Sequence, residues 1–262
     1  MIKKKGEKRR IFQNRNYQEF VSHLKPISPI KTVAIWHIAF WHKVRDIIGR
    51  NTPCHRINAF VKQNAQRGDV PAILQAVDTY CRDKEWIMHL GQQKAERFSE
   101  IVQDCKPKVC LELGTYCGYS AILLGSMLPD DGKIYTVEFD KDFVRAAQEL
   151  VEYAGMQEKI TILQGDAGEV IPTLREKHSV DKFDFVFIDH HKPLYCRELK
   201  HIEAGKYVRR GTVVVGDDLG WPGSPEYDAY IQKSPSYQNT FYDTKIDMLG
   251  ISDVMAKSIY LG

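Results

Sequence analysis

Two short acidic stretches are where chemistry is easiest to read in this 262-residue chain. Asp189-His190-His191-Lys192 follows the apolar run Phe185-Val186-Phe187-Ile188, and Asp217-Asp218 follows Thr212-Val213-Val214-Val215-Gly216. Neighbouring strands lie about 4.8 Å apart, so Asp189 and Asp217 reach one cation if these two runs pair. Successive strand residues face opposite ways. Asp218 therefore joins them only where the chain has already bent, which Leu219-Gly220-Trp221-Pro222-Gly223 permits. Few, hard oxygen ligands with room left for water or substrate suit Mg²⁺. Each acid taken singly is also an ordinary strand-end or turn residue, so the metal reading belongs to the set.

A third stretch is Val109-Cys110-Leu111-Glu112-Leu113-Gly114-Thr115-Tyr116-Cys117-Gly118-Tyr119-Ser120, an apolar strand running into a glycine turn and a helix start. The first glycine suits a backbone path that a Cβ would forbid, and the second is expected to let the helix begin close to whatever lies in the turn. The helix start presents unpaired N–H groups. A dinucleotide fingerprint requires G-x-G-x-x-G. Here the spacing is E-x-G-x-x-x-G, which disfavours a nucleotide-dependent dehydrogenase. A second acid, Glu138, ends the next apolar run, Lys133 to Val137. A merely tight strand-to-helix connection is the alternative for the turn alone.

These stretches need a scaffold. Strands are expected at 108–113, 133–138, 159–164, 183–188 and 211–216, separated by helices near 118–128, 141–154, 167–176 and 194–207. Runs without polar alternation suit strands buried on both faces, hence a parallel sheet covered by helices. Helical spacing places three helices before the first strand: His55 to Gln66, Pro71 to Cys81, and one after Gly91 through Ala95, Phe98 and Ile101. A helix near 225–233 and strands near 237–242 and 255–261 close the chain, the strands as an antiparallel hairpin at the sheet edge. The fold class is α/β: a three-layer α/β/α Rossmann-like sandwich with a mostly parallel seven-stranded sheet. Residues 54–262 form one domain, and 1–53 a basic, amphipathic extension.

Composition is that of a soluble globular protein, with 43% hydrophobic and 27% charged residues. A formal charge of +3 offers no reason to expect nucleic acid as a partner. Six cysteines without a C-x-x-C pair read as reduced thiols in a cytoplasmic setting. The extension opens with Lys3-Lys4-Lys5-Gly6-Glu7-Lys8-Arg9-Arg10 and contains Val33-Ala34-Ile35-Trp36-His37-Ile38-Ala39-Phe40-Trp41. That run is too short to span a bilayer, which needs about 20 apolar residues. Two readings stand: a solvated arm, or peripheral membrane contact through residues 1–48 with the tryptophans in the surface.

Leu111 to Ser120, Asp189-His190 before Lys192, the Asp217 loop with Pro222-Gly223, and Asp78-Thr79-Tyr80-Cys81-Arg82-Asp83-Lys84-Glu85-Trp86-Ile87-Met88 together resemble the catechol O-methyltransferase family, over residues 54–262. The resemblance implies methyl transfer from S-adenosylmethionine to one hydroxyl of a Mg²⁺-bound, catecholamine-like catechol. By position it makes Asp189, Asp217 and Asp218 the metal ligands and Lys192 the base. Met88 and Leu90 would meet the sulfonium and amino-acid end of the cofactor. Glu112, Gly114, Tyr116, Tyr119 and Ser120 would line the turn, and Glu138 would hold the ribose. His190 with Asp166, Ala167 and Gly168 would flank the adenine, with Asp189 beside them. The substrate would be walled by Trp86, Met88 and Pro222 and met by His191, Lys192, Asp218 and Asp247.

Several positions depart from the family pattern. Asp218 stands where the third ligand is asparagine, His191 where an aromatic gatekeeper is usual, Asp247 where a glutamate meets the second hydroxyl, and Ala167-Gly168 where polar residues lie. These bear on substrate preference and rate. Two rivals remain: a metal-dependent O-methyltransferase for a different vicinal diol, and a non-catalytic relative that uses the fold to bind a partner.

Overall fold

The computed structural model describes residues 11–13, 37, 52–87, 89–247 and 249–262. The basic cluster and most of the Val33 to Trp41 run, on which the membrane reading rested, lie outside the described residues, as does Met88. Among the described residues no helix is long and apolar enough to cross a membrane. All six cysteines are free.

The expected alternation is present. Helices α1 (Pro53–Asn64), α2 (Val70–Asp83) and α3 (Gly91–Cys105) precede β2 (Val109–Leu113), α4 (Tyr119–Met127), β3 (Lys133–Glu138), α5 (Lys141–Tyr153) and β4 (Ile160–Gln164). Then come α6 (Ala167–Val170), α7 (Leu174–His178), β5 (Phe185–Ile188), α8 (Tyr195–Ala204), β6 (Val213–Gly216), α9 (Pro225–Lys233), β7 (Tyr237–Ile246) and β8 (Ile251–Tyr260). Local chemistry sets several starts. Asp69 caps α2 by accepting from the Ala72 N–H at 3.1 Å, with Pro71 in the first turn. Asp140 caps α5 through the N–H groups of Asp142 and Phe143.

Three departures from expectation have physical causes. The single helix expected over 167–176 is broken by a 3₁₀ turn at Ile171–Thr173, because Pro172 has no N–H to continue the ladder. The hairpin strands run ten residues each, longer than their apolar cores, since polar Asp243, Lys245 and Ser252 still pair in register across β7 and β8. Finally, Ile11–Gln13, from the stretch set apart as an extension, forms β1 and pairs antiparallel with Thr240 to Tyr242 of β7. The seven expected strands, with the antiparallel hairpin, are all present, and β1 adds an eighth beside β7.

The strand order is β1-β7-β8-β6-β5-β2-β3-β4, with β2 to β6 parallel to one another and β8, β7 and β1 joined by antiparallel pairings. Both faces are covered. Cys110, Phe185, Phe187, Val213, Val215 and Met255 pack under α1 to α5. Leu111, Leu113, Val186, Ile188, Val214 and Val254 pack under α6 to α9. The chain goes from β2 outward to β3 and β4, then returns to lay β5 on the other side of β2. That reversal opens a crevice beyond the carboxyl ends of β2 and β5, where ligands of open α/β sheets bind.

Candidate active site

The crevice is a cavity of about 1270 Å³. On one side, β2 ends in Gly114, whose φ of +100° lies in the region that favours glycine. A Cβ there would meet the Asp189 carbonyl oxygen at 2.7 Å, so position 114 must be bare for the ends of β2 and β5 to touch. Gly118, at a φ of +87°, also takes a backbone conformation that favours glycine, and the nearest atoms to an added Cβ there belong to Ala147 of α5, from 3.6 Å.

Glu138 accepts from the backbone N–H groups of Tyr116 and Asp140, both at 2.9 Å, so its carboxylate is fixed at the cavity wall. Glu112 is fully buried behind the turn and does not itself line the cavity. Thr136 donates to it at 2.5 Å, and Thr115 lies 2.6 Å from Thr136. Burial pushes the Glu112 carboxyl up to about 7, against the pull of the Ser120 and Thr136 hydroxyls. Tyr119 donates to Asp78 at 3.1 Å, and Asp78 also meets His89 Nε2 at 3.0 Å; all three border the cavity.

His190 stacks on Tyr195 with ring centroids 5.2 Å apart. Both of its ring nitrogens are buried without a hydrogen-bond partner. Burial, reinforced by Lys192, lowers its pKa to about 3, so the ring is neutral. Asp166 caps α6 through Gly168 N–H at 2.9 Å and receives Arg197 at 3.0 Å. Ala167 and Asp166 line the cavity, whereas Gly168 packs toward Asp166, Arg197 and His201. Phe139, 74% exposed, stands at the mouth beside Glu138.

On the other side the acids converge. Asp189 at the end of β5 and Asp217 and Asp218 just beyond β6 offer oxygens within 4.8 Å of one another. The required bend is there: Asp218 has a φ of +57°, turning its carboxylate back beside Asp217. Lys192 donates to Asp189 Oδ1 and to the Tyr195 hydroxyl at 2.8 and 2.7 Å, and pairs with Asp218 Oδ2 at 2.8 Å. Burial alone would lower its pKa, but Asp189 and Asp218 outweigh burial and raise it. Burial raises Asp217 well above the carboxylate range, while for Asp218 the two lysines beside it overcome burial and depress it.

Two members of this cluster have no counterpart in the sequence reading. Lys94 of α3 pairs with Asp217 at 3.0 Å, with Asp218, and with Asp253 at 2.6 Å. Asp253 of β8 accepts the Gly220 and Trp221 N–H groups at 2.9 and 3.0 Å, pinning the loop after β6. A signal existed for each. Lys94 lies four residues before Phe98 on the buried stripe that continues to Ile101 and Val102, and Asp253 alternates with buried Ile251 and Met255. Charged residues at core positions are rare unless paired.

Whether the site fits a divalent ion is testable on its own chemistry. The oxygens are hard and clustered, Asp217 Oδ1 is buried with no hydrogen-bond partner, and two ammonium groups face four carboxylates. The donors and the charge deficit fit Mg²⁺.

Of the expected substrate residues, Trp86, His191, Lys192, Asp218, Pro222 and Asp247 all border the cavity. His191 is exposed rather than forming a wall. Asp247 sits in the β7–β8 turn, its carboxylate so close to Gly91 that a Cβ there would meet it at 2.6 Å. Leu90, Gly114, Tyr116, Tyr119, Ser120, Asp189 and His190 also line the cavity.

A family model described as O-methyltransferase matches residues 65–247. Catechol O-methyltransferase of Mus musculus is 34% identical over 87% of this chain and 86% of its own length. Catechol O-methyltransferase B of Danio rerio is 33% identical over 87% and 86%. Among solved structures, the O-methyltransferase TomG of Streptomyces achromogenes in complex with SAM superposes with a TM-score of 0.63 at 23% identity, covering 72% of this chain and 89% of that one. The chain belongs to the O-methyltransferase family.

Proposed function

We propose that the protein transfers the methyl group of S-adenosylmethionine to one hydroxyl of a catechol in a Mg²⁺-dependent reaction. The observation that carries this reading is the meeting of Asp189, Asp217, Asp218 and Lys192 at one wall of a cavity whose other wall is the Gly114 turn and the fixed Glu138. The donor would lie along the turn, with its ribose hydroxyls on Glu138 and its adenine against His190 and Phe139. The catechol would lie between Trp86 and Pro222, with Asp247 toward its second hydroxyl.

In the reaction a catechol oxygen forms a bond to the methyl carbon as the carbon–sulfur bond breaks, and that electron pair returns to sulfur. A divalent ion on Asp189, Asp217 and Asp218 would acidify a bound hydroxyl and take up the carboxylate charge that holds Lys192 protonated. Lys192, whose Nζ lies 2.8 Å from Asp189 and Asp218, would then collect the hydroxyl proton. The rest of the site would orient the reactants and exclude water: fixing both in attack geometry can contribute up to about 7–11 kcal/mol.

Incubation with methyl-labelled S-adenosylmethionine, Mg²⁺ and a simple catechol should label the catechol, and EDTA should abolish labelling. Donor binding without transfer would reject the reading. Exposed His191, which leaves the substrate side open, favours a second reading, a bulkier vicinal diol; competition between the two substrates decides.

A further inference from the structure

Lys94 stands among the acids that would hold the ion, and the reaction proposed above gives it no part. Its stem belongs to the buried stripe of α3, and the residue is 4% exposed. Its ammonium reaches Asp217 Oδ2, Asp218 Oδ1 and Asp253 Oδ2, so its three N–H bonds face three carboxylates. Lys192 takes the remaining oxygen of Asp218 and Oδ1 of Asp189. Asp253 differs from the other three acids. Its Oδ1 is committed to the backbone of Gly220 and Trp221, so it anchors the loop and holds Lys94 rather than offering itself to an ion.

Building on the metal reading above, we infer that Lys94 is a positioning residue: a tethered cation that holds Asp217 and Asp218 together when no divalent ion is bound and moderates how tightly the ion binds. Buried like charges a few ångströms apart repel strongly where water does not screen them, and removing Lys94 leaves Lys192, on Asp218 and Asp189, as the cation against the whole cluster. Among the described residues, Asp217 would then keep no cation beside its carboxylate until an ion binds, while Asp253 still accepts from Gly220 and Trp221. The same removal makes the cluster more negative by one charge, which strengthens its attraction for a dication.

The test uses the full chain with Lys94→Met, which keeps the apolar stem, and Lys94→Arg, which keeps the charge. Mn²⁺ binding is read by electron paramagnetic resonance, and thermal unfolding is read in EDTA and in excess Mg²⁺. Lys94→Met should bind Mn²⁺ about tenfold more tightly or better, as expected for a dication facing one more net negative charge at close range. It should also melt lower in EDTA and gain more from Mg²⁺ than the unaltered chain, while Lys94→Arg stays near the unaltered chain in each. A Lys94→Met protein that folds only with Mn²⁺ present supports the inference. If it is insoluble in both conditions, Lys94→Met with Asp253→Asn decides, because that pair restores the charge balance. A soluble double variant supports the inference and an insoluble one overturns it. Unchanged or weaker Mn²⁺ binding by Lys94→Met, or Lys94→Arg behaving like Lys94→Met, also overturns it. Failure of the unaltered chain to bind Mn²⁺ would remove the metal reading and this inference together, whereas binding with no change in Lys94→Met removes the inference alone.

Discussion

Replacing Glu112 by glutamine should remove a pH dependence that the buried carboxyl imposes on the fold. The carboxyl is wholly buried in β2 and is pushed up to about 7 from its ordinary 4.5 by that burial, with Asp189 and Glu138 adding to the effect. In the unfolded chain it titrates near the ordinary value. Between pH 4.5 and 7 the folded state therefore binds more protons than the unfolded state, and stability falls as pH rises through that window. The contribution is fully present below the lower value and is gone above the upper one. At about 1.4 kcal/mol per unit, the difference amounts to roughly 3 kcal/mol. Urea unfolding of the ligand-free protein at pH 5 and pH 8, for both chains, isolates this group because the others titrate in both. The unaltered chain should lose about 2–3 kcal/mol more than Glu112→Gln between the two pH values. Parallel pH profiles would refute the reasoning and place the carboxylate in a far more polar setting than the fold gives it. A related effect should accompany donor binding, since a cation brought beside Ser120 favours the ionised carboxyl. Calorimetry near pH 7 in buffers of different ionisation enthalpy should then show proton release, and Glu112→Gln should not.

Three further outcomes are expected. Lys192→Ala should cut turnover by about 10²–10⁴ at neutral pH while donor affinity, read by calorimetry, is kept; full turnover would reject its role as base. Asp218→Asn should weaken Mn²⁺ binding about tenfold, because one carboxylate fewer faces the ion, and an unchanged affinity would count against Asp218 as a ligand. Gly114→Ala should lower stability by about 1–3 kcal/mol, since alanine is strained at that φ and its Cβ would press on the Asp189 carbonyl; an unchanged melting temperature would show that the contact relaxes freely.

The parallel core of the fold was legible because its strands carry apolar residues on both faces, as in Phe185 to Ile188, and because the helices between them keep a helical period. The acid cluster was legible for the same reason: Asp189 and Asp217 each end such a run. What escaped was polarity placed inside an apolar pattern. A lysine four residues before Phe98 reads as surface until α3 is docked on the sheet, and Asp253 reads as a loop acid while β8 is taken to begin at 255. β1 was invisible because three residues carry no periodicity of their own and depend on the open edge of β7.

Because β8 lies between β6 and β7 and brings Asp253 to the acid cluster, the site stays unfinished during synthesis until Asp253 has left the ribosome. Asp189, Lys192, Asp217 and Asp218 are all translated earlier, yet the nascent chain holds those acids without the anchor that sets their loop. Assembly of the working centre thus requires a closure across more than 150 residues between Lys94 and Asp253.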